Sequence, residues 1–217
     1  MMNNYKDKSK VYSSAKCGDF RVVQYVSHKL IFIEFIGTGY KAIVTSRSIS
    51  ERTIKDKMLP SVYGVGFPGD GEYKPRFKGV KSKIYVAWTS MLQRCYDQGF
   101  KNRYPTYIGC EVCPEWHNFQ VFAQWMSMQD WKGMHLDKDI IVKGNKTYGP
   151  KYCKFVTEEE NLIEAHAKSY SFISDKGERV DVYNLAKFCR DNNLNCGNMC
   201  QVQMGNRISS KGWSKAI

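Results

Sequence analysis

The amino-acid sequence predicts an α+β chain assembled from several small units. Three observations carry that prediction. At 217 residues the chain is long for one core, because domains cluster near roughly 100–150 residues. Hydrophobic residues make up 42% and aromatic residues 14%, enough to fill packed cores and too much for a disordered tail. Strand-like and helix-like stretches also follow one another in blocks, separated by passages rich in Gly and Pro.

Residues 1–16, with Lys6, Lys8 and Lys10 among Ser and Asn, read as a flexible basic arm. Residues 17–75 read as a β-rich unit. Within it "DFRVVQYVSHKLIFIEFIGTGYKAIVT" is dense in Val, Ile, Phe and Tyr, with breaks near Ser27 to Lys29 and Gly37 to Gly39 that mark turns between strands. The following "LPSVYGVGFPGDGEYKPRF" is a loop-rich connection. It lacks the Gly-Lys-Ser/Thr ending of a phosphate-binding P-loop, which argues against a nucleotide site.

Residues 76–168 come next. In "SKIYVAWTSMLQRCYD", Ile84, Trp88, Met91, Leu92 and Cys95 recur at helical spacing, and Ser82 can cap the start. A second helix near Pro114 to Gln129 gathers Trp116, Phe119, Phe122 and Trp125/Met126 on one face, which is the pattern of a buried helix side. Met134 to Ala167 then reads as strand, turn, strand and helix: "MHLDKDIIV", "KGNKTYGPKY", "CKFV" and "TEEENLIEAH", with Thr157 and Glu160 in capping-box spacing. The result is a ββα unit.

Residues 169–217 form a last module. Asp175-Lys176-Gly177 marks a hairpin turn flanked by Phe172/Ile173 and Val180/Val182. "NLAKFCRDNNL" and "NMCQVQMGNR" then read as two short helices, the second ended by Gly205, which suggests a helix-turn-helix-like arrangement.

Charge points to a partner before any motif does. Lys and Arg number 33 against 21 Asp and Glu, a net +12 that favours a polyanion. From Lys74 to Arg103 stand Lys74, Arg76, Lys78, Lys81, Lys83, Arg94, Lys101 and Arg103 against Asp97 alone, with tyrosines and Phe77 interleaved. That mixture suits phosphate contact combined with stacking on bases or sugars. In the last module Asn195, Asn198, Gln201, Gln203 and Arg207 carry groups suited to base edges and phosphates. No apolar run is long enough to span a membrane and no signal-peptide pattern opens the chain, so an intracellular protein without a membrane partner is expected. In that setting the eight cysteines read as thiols or metal ligands, with Cys189, Cys196 and Cys200 assigned to core.

The ββα unit carries the chemistry. It places Asp137 near the end of one strand and Asn161 on the following helix, so two oxygen ligands can face one side and leave the other positions of a Mg²⁺ to water and phosphate. The cysteines offer a second metal hypothesis: Cys110 and Cys113 form a Cys-x-x-Cys that Cys95 and Cys153 could complete as a structural Zn²⁺ site.

Residues 136–166, "LDKDI" and "GNKTYGPKYCKFVTEEENLIEAH", resemble the HNH endonucleases of the His-Me finger class, particularly the phage homing type. Residues 169–217 are similar to the small DNA-binding modules that follow such catalytic domains. The resemblance implies a homing-type nuclease that cuts double-stranded DNA with Mg²⁺ or Mn²⁺, working in the cytoplasm of an infected host if the source is a phage. By position, Asp137 falls on the metal-binding Asp, Asn145 on the loop Asn and Asn161 on the helix Asn. The general-base His falls on Lys138, and Tyr152-Cys153 stands where the family has Asn-Leu.

An unperturbed Lys holds its proton near neutral pH, so it serves as base only if a metal and burial strip that proton. Alternatively Lys138 binds phosphate while His135 or Asp139 activates the water. In a regular strand 135, 137 and 139 share one face and 138 points away, which favours His135. The rival readings are a DNA-binding protein or regulator on a degenerate HNH fold, and a zinc-stabilised interaction module.

Overall fold

The computed structural model describes residues 7, 9–158, 160–161 and 169–216, and the molecule is α+β. The first sheet is an antiparallel meander of β1 (Val11–Ser14), β2 (Gly18–Ser27), β3 (Leu30–Phe35) and β4 (Lys41–Val44) in that order. Strand alternation fixes its buried face: Ile31, Ile33 and Phe35 are all at most 1% exposed, beside Phe20 and Val22. Helix α1 (Ser46–Ser50), held by a reciprocal Thr45/Ser48 cap, swings Ile49 over that face, and Ile54 completes the cluster. Part of the expected arm belongs to this sheet, because the Tyr12 ring stacks on Phe20 at 5.8 Å and β1 pairs along β2. Lys6 and Lys8 of that arm lie outside the described residues.

The Gly- and Pro-rich connection packs closely on the central unit. A Cβ at Gly66 would overlap Leu92 and stand 2.9 Å from the Trp88 ring, so only glycine lets the chain pass there. Gln120 then pins the segment, donating to the carbonyls of Pro68 and Tyr73 and accepting the Tyr73 N–H. A small ribbon of β5 (Arg76–Phe77) and β6 (Val80–Lys81) leads into α2 (Lys83–Tyr96), whose first turn is capped by Ser82 accepting the Tyr85 N–H at 3.1 Å.

After α3 (Gln98–Arg103) and β7 (Glu111–Val112), the chain makes a 3-10 turn over Pro114–His117 before α4 (Phe119–Ser127). The helix expected from Pro114 therefore starts later. Asn118 is extended, caps α4 through its side chain, and bridges to Phe67 with its backbone. Trp88, Leu92, Trp116, Phe119 and Phe122 form the central core, each at most 1% exposed.

Strand β8 (His135–Asp137) pairs antiparallel with β10 (Lys154–Val156), while β9 (Thr147–Tyr148) lies parallel to β7. The strand expected over "MHLDKDIIV" stops at Asp137. There Asp137 Oδ1 accepts the N–H groups of Asp139 and Ile140, each at 2.7 Å, and turns the chain out of the extended conformation. Thr157 and Glu160 form the expected capping box, with helical residues Glu158, Glu160 and Asn161; the rest of that predicted helix lies outside the described residues.

The last unit is a sheet in order β12-β11-β14-β13, made of β11 (Tyr170–Ile173), β12 (Arg179–Val182), β13 (Ser209–Ser210) and β14 (Trp213–Lys215). Helices α5 (Leu185–Asp191) and α6 (Cys196–Met204) contribute Leu185, Cys189, Met199 and Val202 to one core with Phe172 and Val182. The two helices were expected; β13 and β14 were not. Cys189 is core, Cys200 is half-buried, and Cys196, the first residue of α6, is exposed. No helix among the described residues is long and apolar enough to cross a membrane.

Candidate functional site

Five segments of the chain converge on one cleft of about 160 Å³. It is lined by His135, Leu136 and Asp137 of β8, by Lys138 and Asp139 just beyond it, by Tyr148 of β9, by Arg94 of α2, by Thr106 and Tyr107, and by Asn161 at the helix start. The β7–β9 pairing carries Tyr148 to the floor of this cleft, and β10 holds β8 in place from the other side. Small-molecule pockets usually measure about 300–1,000 Å³. At about 30 Å³ per water the space suits a phosphate group with a few waters. A substrate acted on here lies mostly outside it.

The turn after β8 sets the electrostatics. Because the chain leaves the strand at Asp137, Lys138 does not point to the opposite face. It lines the same cleft as His135 and Asp137, so the alternation expected through residue 139 fails at this bend. Lys138 is 6% exposed, and its Nζ donates to both carboxylate oxygens of Asp139 at 2.7 Å while lying 5.9 Å from the centre of the Tyr148 ring. In this arrangement the ammonium is a donor held in an ion pair, a fixed cation at the cleft floor.

Arg94 is the second cation. Its guanidinium lies 5.7 Å from the Tyr107 ring centre and reaches the Tyr148 hydroxyl at 3.5 Å, and burial pushes the Tyr148 phenol up from its usual range. Asn145 does not line the cleft. It donates to the carbonyls of Lys138 (2.9 Å) and Thr147 (2.7 Å) and accepts the Thr147 N–H, clamping the loop that presents Lys138.

Asp137 has one oxygen committed to the turn. Its Oδ2 has no hydrogen-bond partner among the described residues, and Asn161 borders the same cleft. A carboxylate and an amide oxygen beside a phosphate-sized space fit a hard divalent cation, since Mg²⁺ takes one or two protein oxygens and fills its shell with water and phosphate. His135 is exposed at the mouth of the cleft.

The proposed zinc ligands Cys95, Cys110, Cys113 and Cys153 all sit in or against the central core. Burial pushes the Cys95 and Cys153 thiols up to about 12 and that of Cys113 up to about 11, and raises Cys110 as well. Among the described residues no group of three or more His, Cys, Asp or Glu is placed to hold a metal.

The basic residues divide into separate places. Lys74, Arg76, Lys78, Lys81 and Lys83 are exposed on and around the β5–β6 ribbon, Lys101 and Arg103 lie on α3, and Arg94 enters the cleft. In the last unit Asn195 caps α6, Gln201 accepts from Asn206, Arg207 donates to the Ser209 carbonyl, and Asn198 and Gln203 are half-buried. The sequence did not single out Tyr148 or Thr106, because their place depends on β9 crossing to β7. A larger groove, about 850 Å³, follows β4 with walls such as Phe32, Ile43 and Ile54; its ionisable lining is Tyr40, Lys41, Lys55 and the paired Lys57 and Asp70, with no histidine among them. Compared with protein-family models, with curated proteins and with solved structures, the chain matches none.

Proposed function

We propose that the chain is a Mg²⁺- or Mn²⁺-dependent endonuclease that nicks or cleaves double-stranded DNA through a ββα unit of the His-Me finger kind. One observation carries the reading: a phosphate-sized cleft combines an oxygen-ligand pair, two fixed cations and an exposed imidazole. Asp137 and Asn161 would hold the metal. When bound, such an ion neutralises charge building on the scissile phosphate and on the leaving oxygen.

His135, at the open mouth, takes the proton from the attacking water. Lys138, fixed by Asp139, and Arg94, steadied by Tyr107 and Tyr148, oppose the phosphate charge. Asn145 acts as a positioning residue through the Lys138 carbonyl. The basic segments hold the backbone, and the C-terminal unit, with α5 and α6 in a helix-turn-helix-like role, extends the contacted site through Asn198, Gln201, Gln203 and Arg207.

A second reading is a DNA-binding protein that no longer cuts, favoured by the pairing of Lys138 Nζ to both Asp139 oxygens at the position where a base would stand. Incubating the protein with Mg²⁺ or Mn²⁺ and a genomic DNA library, then mapping new ends by sequencing, separates the two. Recurrent ends that vanish in Asp137→Ala support the nuclease. His135→Ala is expected to slow cutting by about 10²–10⁴-fold at unchanged duplex affinity. Salt-sensitive binding with no ends from the wild-type protein would leave the binding-only reading.

A further inference from the structure

Among the described residues the β5–β6 ribbon contributes nothing to the cores around Phe35, Trp88 and Phe172, and several of its features oppose its own stability. Every residue from Arg76 to Lys81 is exposed. A lone two-stranded hairpin is marginal in water, and this one sets Arg76 directly opposite Lys81, where like charges repel. The other cross-strand pair is Phe77 with Val80, which are 69% and 72% exposed.

The turn makes a similar sacrifice. Lys78 and Gly79 have φ of +46° and +81°, the mirror-image two-residue turn in which Asn or Asp is favoured at the first place. A lysine there is a strained choice, and it puts a charge beside the exposed aromatic, with its Nζ 5.6 Å from the centre of the Phe77 ring. The shape is nonetheless held, because Arg76 Nη1 donates to the Gly79 carbonyl at 2.8 Å and the Ser82 N–H closes the base on the Pro75 carbonyl at 2.9 Å.

From Lys74 to Lys83 the chain carries five cations and no carboxylate. Alternation along the ribbon places Phe77 and Val80 on one face and Arg76 and Lys81 on the other. A face of cations backed by an exposed aromatic matches a duplex, with phosphates flanking stacked bases. We propose that the ribbon is a DNA-contacting arm, in which Phe77, supported by Val80, wedges against the bases from a groove while Lys78 and its neighbouring cations hold the phosphates. This rests on the DNA reading of the cleft and adds a contact that the cleft does not require.

The test is binding of the full chain, in EDTA to prevent cutting, to a fluorescent DNA duplex across a salt series, with heparin and phosphatidylserine vesicles as base-free polyanions. Phe77→Ser is expected to weaken duplex binding about tenfold with the salt slope and heparin affinity unchanged. Lys78→Asn puts a favoured residue in the turn, so its Tm should hold or rise while the log–log salt slope falls by about 0.9. Equal losses on duplex and heparin for Phe77→Ser, an unchanged slope for Lys78→Asn, or preference for vesicles over duplex would each overturn the arm. Loss of all duplex binding by the wild-type protein would instead remove the DNA reading itself. Site-specific cutting that both variants retain in full would remove the arm alone.

Discussion

Lys138 and Asp139 form an asymmetric pair, and the asymmetry predicts how each substitution behaves. The Lys138 side chain is 7% exposed and that of Asp139 37%. Removing the buried cation leaves a carboxylate that water can reach, so Lys138→Met is expected to change unfolding free energy by less than about 1 kcal/mol. Removing the carboxylate strands a buried ammonium, so Asp139→Ala is expected to cost about 2–3 kcal/mol. Urea unfolding of the two variants checks the order, and a larger loss for Lys138→Met would contradict the pairing. The thiols give a pH prediction. Cys95 and Cys153, raised by burial to about 12, and Cys113, raised to about 11, stay protonated in the fold while the unfolded chain's thiols ionise near the ordinary value of 9. Their contribution to stability is therefore full below pH 9 and is lost as pH climbs through about 11 and 12, so Tm should fall on the alkaline side. At pH 8 a thiol reagent should label exposed Cys196 first and reach Cys95 and Cys153 only on unfolding. Zinc released on unfolding, read with a chromogenic chelator, tests the metal expectation for these cysteines separately.

At the scale of elements, local chemistry was largely legible. The three- and four-residue spacing of Trp88, Met91, Leu92 and Cys95 forecast the buried side of α2, and the Ser82 cap is made as its position implied. Ser82→Ala should cost about 1 kcal/mol, measurable as a shift in the denaturation midpoint. Gly66 could be read only as a loop glycine. Its packing against Leu92 and the Trp88 ring makes Gly66→Ala an overpacking change of about 1–3 kcal/mol, whereas alanine at Gly99, with Asp97 as its nearest neighbour at 3.3 Å, should cost less. Failures of the local reading share a cause. The β8 strand ends where one aspartate side chain captures two backbone N–H groups, and β1 and β14 exist because a partner strand is present. Alternation alone signals neither event.

On the scale of the whole molecule, most buried hydrophobic side chains among the described residues fall into three clusters that share no member, around Phe35, Trp88 and Phe172. Separate cores predict unfolding in more than one calorimetric transition. Phe20→Ala should lower the transition of the N-terminal unit and leave the C-terminal one in place; a uniform shift of a single transition would show instead that the clusters unfold together. The sequence by itself determined the α+β class, the excess of positive charge, the capped helices and the membership of His135, Asp137 and Asn161 in one short block, because each of these is written in composition or within a few residues of chain. Only the tertiary structure decided that Lys138 turns inward onto Asp139 and that Arg94 and Tyr148 join the same cleft. Those positions follow from a bend fixed by Asp137 and from the parallel pairing of Glu111 with Thr147, 36 residues apart. Contacts at that separation are selected by the packing free energy of the assembled core, which no local pattern of residues encodes.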